Sequence, residues 1–211
     1  MKEILKNLVK GAIEKSGLPK NSDILDIGCA DIRPYSEYLI KHFVKQYKGI
    51  DINNKLLKSA EKKVENILYA NVELGNVENL NFKDCEFDII VCNNMIAYTD
   101  KKRALSEMLR VLRPNGVLIS YFNNTIGYSI YKLFHPQQRN VIKEFAHSMV
   151  VIFNTWFFLV FGIKIFRATY NTKKEILKIF NESDYKHSIK LIEKYKDHIP
   201  YSVINFVIQK H

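Results

Sequence analysis

The segment Leu25-Asp26-Ile27-Gly28-Cys29-Ala30-Asp31 sets the architecture of this chain, because in it a short apolar run ends in a glycine. Such a run is typical of a buried strand that is followed by a tight turn. The helix after the turn presents free backbone N–H groups and the positive end of its dipole to a ligand. Asp26 stands at the end of the predicted strand, where its carboxylate can either receive an ammonium group of a ligand or orient the loop.

Strand-like and helix-like patterns alternate along the first 122 residues. Phe87–Cys92 is almost continuously apolar, as a strand buried on both faces should be. Repeated β-then-α units predict a parallel sheet with helices on both faces. The predicted strands are Asp23–Gly28, Tyr47–Ile52, Ala70–Leu74, Phe87–Cys92 and Gly116–Phe122, and the predicted helices between them are Tyr35–Phe43, Lys55–Val64 and Asp100–Leu112.

Two further strands are predicted near the end of the sequence, at Lys186–Glu193 and Ser202–Gln209, after a helix at Thr172–Asn181. The link between the two strands contains Pro200, and its length fits a loop that returns the chain antiparallel. We therefore predict an α/β fold of the doubly wound type, with a mostly parallel seven-stranded sheet that ends in an antiparallel hairpin.

The composition excludes several classes of protein. The chain has 211 residues, of which 47% are hydrophobic, so residues 1–211 are expected to form a single domain with a sizeable core. Only 13 residues are glycine or proline, and the three cysteines are an odd number, which argues against disorder and against a disulfide scaffold. Buried reduced thiols in a cytoplasmic protein are the expected state. No Cys/His spacing indicates a metal site.

The net charge of +10 is unevenly distributed. Residues 121–211 contain 13 basic and six acidic side chains, whereas residues 61–120 contain eight and nine. A basic surface of this kind attracts nucleic acid, anionic lipid or an anionic small substrate. Because 26 of the 32 cations are lysine, the excess can also be a compositional bias.

Asp51 follows the second predicted strand, 23 residues after Gly28. An acidic residue about 20 positions beyond a glycine loop can accept both ribose hydroxyls of an adenosine. The complete dinucleotide pattern is absent, since Ala30 and Arg33 stand where its other two glycines belong, so NAD is not expected. The phosphate-binding pattern Gly-Lys-Ser/Thr does not occur in the sequence.

Four segments occur in a recognisable order: LDIGCADIRPYSEYL (25–39), GIDIN (49–53), GNVENLNFKDCEFDIIVCNNMI (75–96) and EMLRVLRPNGVLIS (107–120). Together they resemble the class I S-adenosylmethionine-dependent methyltransferases, in the branch that often acts on small molecules. The resemblance covers roughly residues 20–122 and implies a Rossmann-like fold. It also implies S-adenosylmethionine as cofactor, with S-adenosylhomocysteine as product.

The resemblance assigns expected cofactor-binding roles residue by residue. The loop from Asp26 through Gly28 and Cys29 to Ala30 would hold the methionine part. Asp51 would hold the ribose hydroxyls, and Ile52 would pack on the adenine. Asn76 and Val77 would contact the adenine edge through a side chain and the backbone. Asn93 would approach the methionine amino and carboxylate groups. The turn Arg113–Gly116 before the fifth strand would be structural.

Three positions depart from the family pattern. Ala30 and Ile32 replace loop glycines, and Asn76 replaces a usual aspartate, which keeps a hydrogen-bond acceptor but loses the charge. We therefore expect weaker cofactor binding. A degenerate, non-catalytic binding subunit with this fold is one alternative.

Methyl transfer from a sulfonium mainly requires alignment of the reacting atoms and exclusion of water. A general base is needed only if the acceptor loses a proton early. Tyr98, just after the fourth strand, and His135 are the catalytic candidates; His147 is a further histidine of the same region.

The segment Asn123–Ala168 interrupts the β-then-α pattern. It contains the apolar run Met149–Phe166, which is shorter than the ~20 apolar residues of a membrane-spanning helix. We predict that residues 123–168 form a helical lid that selects a small-molecule or lipid-like acceptor. Peripheral membrane contact through 149–166 is a second interpretation of this run.

A methyltransferase acting on RNA is the enzymatic alternative, because the last third of the chain is basic. Two observations disfavour it. Cys92-Asn93-Asn94-Met95 lacks the Pro-Pro-aromatic motif of many nucleic-acid amino-methyltransferases, and no cysteine follows a proline as in cytosine-C5 enzymes.

Overall fold

The structure, a computed structural model, describes residues 2–17, 21–93, 95–96, 99–123, 141–161, 178–182, 189–193 and 203–210. Within these ranges the helices are α1 (Lys2–Ser16), α2 (Pro34–His42), α3 (Asn54–Val64), α4 (Lys101–Val111) and α5 (Val141–Phe161). The strands are β1 (Ser22–Ile27), β2 (Val44–Asp51), β3 (Ala70–Leu74), β4 (Phe87–Asn93), β5 (Leu112–Asn123), β6 (Ile189–Glu193) and β7 (Val203–Lys210). Of the predicted helix Thr172–Asn181, the described part is helical at 178–181.

The strands form one sheet in the order β3-β2-β1-β4-β5-β7-β6. The first five strands run parallel, whereas β7 pairs antiparallel with both β5 and β6. The predicted Rossmann-like α/β fold, with a mostly parallel sheet that includes an antiparallel strand, is therefore confirmed. The strand order reverses between β1 and β4, and ligands of such sheets bind at the carboxyl ends of the strands at that point.

The central strands β1 and β4 bury both of their faces. Side chains of β1 and β4 alternate between two core clusters, because successive residues of a strand point to opposite faces. Ile24 and Ile89 belong to the cluster that also holds residues of α1, α2 and α3, whereas Leu25 and Ile90 belong to the cluster that holds α4. No helix within the described residues combines the length and apolar character that crossing a membrane requires.

The fifth strand begins earlier than the sequence predicts. Arg113–Gly116 was expected to form a turn before a strand at Gly116–Phe122, but β5 begins at Leu112, which pairs with Phe87 before the register shifts. Asn115 takes a left-handed conformation (φ 64°) inside this irregular stretch. Nη1 of Arg113 donates to both Asp23 Oδ2 and Asp88 Oδ2 at 2.8 Å, which ties β5 to β1 and β4.

The turn between β1 and α2 contains three residues with left-handed backbone: Gly28 (φ 72°), Ala30 (φ 52°) and Ile32 (φ 60°). Glycine adopts this conformation without strain, whereas other residues lose about 1–2 kcal/mol each. The two strained residues are those that stand where the resemblance implies glycine. Ile32 is buried in the core, so its side chain contributes packing that a glycine would lack.

A salt bridge holds the connection that follows β3. Arg110 donates from Nε to Glu107 Oε1 at 2.7 Å and from Nη1 and Nη2 to the carbonyls of Phe82 and Leu80. Glu107 Oε2 accepts the backbone N–H of Leu80 at 2.8 Å. The hydrogen bonds from Arg110 lower the pKa of Glu107 more than burial raises it. This pair fastens residues 80–82, just beyond Asn76 and Val77, to α4.

We predict that Glu107→Gln lowers the free energy of unfolding by about 1–3 kcal/mol near neutral pH, because hydrogen bonds to a charged group are lost. A carboxyl group whose pKa is lowered by folding stabilises the protein above its unfolded pKa and loses this effect as pH falls through the folded pKa. The urea-unfolding curves of wild type and variant should therefore converge in acid. Glu61→Gln, at an exposed position of α3, is the control, and a difference that persists unchanged in acid would contradict the prediction.

We predict opposite effects for two glycine substitutions in the left-handed turn. Ala30→Gly should leave stability unchanged or raise it by up to about 1 kcal/mol, because relief of strain exceeds the added chain entropy. Ile32→Gly should destabilise by about 2–4 kcal/mol, since the buried side chain is removed. Thermal unfolding of both variants measures this, and equal losses would show that backbone strain does not distinguish the two sites.

Candidate functional site

The left-handed turn is anchored to the end of β2. The backbone N–H groups of Gly28 and Cys29 donate to the carbonyl of Ile50 at 2.8 and 3.1 Å. The N–H of Ala30 donates to Asp51 Oδ2 at 3.0 Å. The backbone of the turn is therefore fixed at the carboxyl edge of the sheet, beside the point where the strand order reverses.

Asp51 lies between two loops and is almost fully buried. Besides the bond from Ala30, its Oδ1 accepts the backbone N–H of Asn53 at 2.8 Å. Asn53 in turn caps α3, since its side chain accepts the N–H groups of Lys55 and Leu56. Each carboxylate oxygen can accept more than one hydrogen bond, so Asp51 keeps acceptor capacity for hydroxyl groups of a ligand.

Asp26 is completely buried beneath the same turn. Its carboxylate accepts hydroxyl groups from Ser36 (2.6 Å), Tyr47 (2.7 Å) and Tyr35 (3.1 Å). Burial raises the pKa of Asp26 against the lowering effect of these bonds, and it also raises the pKa of both tyrosines, which stay protonated donors. Of the two roles predicted for Asp26, this geometry fits orientation of the loop and not direct receipt of a ligand ammonium.

Two exposed apolar side chains border the edge beyond Asp51. Ile52 is 66% exposed and Leu74, at the end of β3, is 65% exposed. Leu74 is the register partner of Asp51. Leu74 is therefore a second exposed apolar residue at this edge, next to Asp51. Leu74 was missed because an apolar residue in a strand pattern is normally assigned to the core.

Asn76 and Val77 lie just after β3. The Asn76 side chain is exposed, and its Oδ1 accepts the backbone N–H of Glu78 at 3.0 Å, while the Val77 side chain is buried in the core. Glu78 Oε1 accepts the N–H of Asp100 at the start of α4. The turn after β3 is thus held by a hydrogen bond within it, at Asn76, and by a second one to the start of α4.

The end of β4 faces the turn from the other side. Asn93 is the last residue of β4 and is buried. Met95 packs so closely on Gly28 that a Cβ there would lie 2.4 Å from Met95 Cγ and 2.8 Å from its Sδ. A side chain at position 28 would therefore displace Met95, and the positive φ of Gly28 separately favours glycine. Sequence reasoning did not identify Met95, which nothing in the local pattern distinguishes from a core residue.

The remaining predicted residues divide into two groups. Cys29 is buried against Gly49, and burial raises the pKa of its thiol, so it contributes backbone and packing and not a reactive thiolate. Tyr98 and His135 lie outside the described residues. The backbone of His147 belongs to α5, but its side chain is not among those described. The described ranges contain no group of three or more His, Cys, Asp or Glu side chains suited to a metal ion.

Comparisons with known proteins agree with this geometry. The methyltransferase domain family matches residues 25–120. The ubiquinone/menaquinone biosynthesis C-methyltransferase of Wigglesworthia glossinidia brevipalpis is 31% identical over 177 residues, which cover 78% of this chain and 67% of the relative. Norajmaline N-methyltransferase of Rauvolfia serpentina is 28% identical over 144 residues, or 65% of this chain and 48% of the relative. Across these two relatives, the chain therefore spans about half to two thirds of their length.

Solved structures share the fold. A S-adenosylmethionine-dependent methyltransferase from Methanosarcina mazei superposes with a TM-score of 0.57 at 21% identity, covering 94% of this chain and 96% of that one. Geranyl diphosphate methyltransferase, solved with S-adenosylmethionine, gives a TM-score of 0.66 at 10% identity, covering 98% and 85%. The strand order, the anchored turn and the sequence relatives together lead to one assignment: this chain belongs to the class I S-adenosylmethionine-dependent methyltransferases.

Proposed function

We propose that this protein transfers the methyl group of S-adenosylmethionine to a small, largely apolar acceptor. The observation that carries the proposal is the carboxyl edge of the sheet, where an anchored left-handed turn and a buried carboxylate with spare acceptor capacity lie beside exposed apolar side chains. The named relatives support the acceptor class, since they include a C-methyltransferase of quinone biosynthesis and an alkaloid N-methyltransferase.

Asp51 is the proposed ribose-binding residue. Its two oxygens already accept the N–H groups of Ala30 and Asn53, so the carboxylate is fixed in place before a ligand arrives. Two neighbouring ribose hydroxyls can then donate to the remaining lone pairs without reorganisation of the protein. Ile52 and Leu74 would provide the apolar surface for the adenine, with Asn76 and Val77 at its edge.

The methionine part of the cofactor is proposed to lie against the turn Gly28-Cys29-Ala30 and to approach Asn93 with its polar end. Asp26 would act beneath the turn as a positioning residue, because its oxygens are engaged by three hydroxyls of the chain itself. Met95, which covers Gly28, would border the space next to the transferred methyl group and exclude water from it.

Bound S-adenosylmethionine supplies a methyl group that is already activated on a sulfonium. The chain's own residues then have to align the acceptor and keep the reacting atoms dry. An acceptor that must lose a proton needs a general base, for which Tyr98 and His135 remain the proposed residues. An amine nitrogen with a free electron pair needs no base before the transfer, whereas an aromatic carbon must release its own proton after it is methylated.

We further propose that residues 1–211 act as one catalytic domain and that 123–168 covers the acceptor side of the site. The segment follows β5 in the chain and contains the helix α5, which supports this proposal. We assign the enzyme to the cytoplasm, because Cys29 and Cys92 are buried free thiols.

The direct test is binding followed by transfer. Calorimetry should show that S-adenosylmethionine and S-adenosylhomocysteine bind with affinities in the micromolar range, on the order of −7 to −8 kcal/mol. Transfer of a radiolabelled methyl group should then occur to members of a panel of quinols, prenyl diphosphates and apolar amines. Absence of cofactor binding would overturn the proposal, and methylation of bulk RNA without any small acceptor would replace it with the RNA alternative.

We predict that Asp51→Ala weakens binding of S-adenosylhomocysteine by ~2–3 kcal/mol, or about 30- to 150-fold, because the ribose hydroxyls lose a charged acceptor. Asp51→Asn should fall between wild type and Asp51→Ala, since one acceptor oxygen remains. Asp31→Ala is the matched control, because it removes an exposed carboxylate from the same loop. Unfolding measured in parallel separates loss of the site from loss of the fold, and unchanged affinity in a folded Asp51→Ala protein would contradict the ribose role.

A further inference from the structure

The helix α5 presents an apolar face to solvent. Among the described side chains of α5, the large exposed apolar ones recur mostly at intervals of three or four residues, with two adjacent pairs, so they lie along one side of the helix. Their exposed fractions range from 44% to 82%, and they are Ile142, Phe145, Met149, Val150, Phe153, Trp156, Val160 and Phe161. This set is defined here as the α5 apolar face.

Among the α5 side chains that the structure describes, the exposed ones are largely apolar. The two that are almost fully buried, Ser148 and Asn154, are polar. Surface helices of globular proteins normally direct their apolar stripe inward. Large exposed apolar patches mark interaction sites with proteins or membranes. The α5 apolar face therefore needs an occupant.

Aromatic rings make the face continuous. Phe153 and Trp156 have ring centroids 6.1 Å apart, and Trp156 meets Phe161 edge-on at 6.3 Å. Tryptophan and phenylalanine are the side chains that interfacial helices insert at the boundary between lipid headgroups and acyl chains. The composition of the face thus fits a lipid surface.

The charges that flank α5 in the sequence favour an anionic bilayer over a second copy of the chain. Residues 145–163 contain no Asp, Glu, Lys or Arg, whereas the wider segment 132–178 contains eight basic and only two acidic residues. A second copy carries the same basic excess, and like charges disfavour association. An anionic bilayer offers the opposite charge together with an apolar interior.

We propose that the α5 apolar face binds the surface of an anionic phospholipid bilayer, with the helix lying in the plane of the interface. The inference goes beyond the proposed methyl transfer and does not rest on it. The cofactor residues named above belong to the β1, β2, β3 and β4 ends, and none belongs to α5.

The only tryptophan in the sequence provides the probe, since Trp156 belongs to the α5 apolar face. The full chain is titrated with vesicles of phosphatidylcholine alone and with vesicles that also contain phosphatidylglycerol. We expect a blue shift of Trp156 emission and protection from an aqueous quencher with the anionic vesicles, and weakening of both effects as salt is added. Bilayer-embedded quenchers should also quench Trp156.

Phe153→Asp tests the face itself, and Leu68→Asp introduces the same charge at a fully exposed leucine outside α5. We expect Phe153→Asp to reduce vesicle binding at least ~10-fold, because an apolar contact is replaced by a charge that anionic lipid repels. Leu68→Asp should bind like the wild type. Unfolding curves establish that both variants are folded, and unchanged affinity for S-adenosylhomocysteine keeps this test separate from the cofactor site.

Three outcomes would overturn the inference. The first is absence of a Trp156 shift with every vesicle, and the second is equal loss of binding in Phe153→Asp and Leu68→Asp. The third is a Trp156 shift that appears without vesicles, increases with protein concentration and accompanies a dimer mass in light scattering, which would assign the face to a second copy of the chain.

Discussion

The hydrogen bond from the backbone N–H of Ala30 to the carboxylate of Asp51 is the interaction on which the site depends. It fixes the left-handed conformation of Ala30, and a bond to a charged acceptor contributes about 1.5–3 kcal/mol, enough to offset a strain of about 1–2 kcal/mol. The same carboxylate accepts from Asn53, which caps α3. One buried group thus positions the turn after β1 and the helix after β2, and it still has lone pairs for a ligand.

Two aspartates at the ends of adjacent strands take different roles because their surroundings differ. Asp26 is surrounded by hydroxyl groups of α2 and β2, whose three hydrogen bonds occupy most of its roughly four acceptor sites. Asp51 meets only two backbone N–H groups among the described contacts and lies at that edge. Asp26 therefore supports the turn from below, while Asp51 holds it at the carboxyl edge, where the cofactor is proposed to bind.

Much of this arrangement follows from local sequence pattern. The order of strands and helices, the position of Asp51 after β2 and the antiparallel strand were all predictable, since each rests on periodicity or spacing within a short window. The orientation of Asp26 was not, because its three donors come from separate elements and nothing local specifies them. The start of β5 was missed for a similar reason: Pro114 and Gly116 indicate a turn, but Arg113 pairs with Asp23 and Asp88 of other strands. Leu74 and Met95 were missed because an apolar residue in a local sequence pattern is assigned to the core. Their positions at the carboxyl edge of the sheet follow only from strand pairing and packing.

The apolar face of α5 and the proposed acceptor class have a common physical basis. An apolar acceptor partitions into a bilayer, where its local concentration far exceeds that in water, because each buried methylene group favours the lipid by about 0.8 kcal/mol. An enzyme held at the interface meets such an acceptor without first extracting it through the aqueous phase. Under both proposals, membrane contact would determine which acceptors reach the site, while Asp51 and the anchored turn would determine whether the cofactor is in place to methylate them.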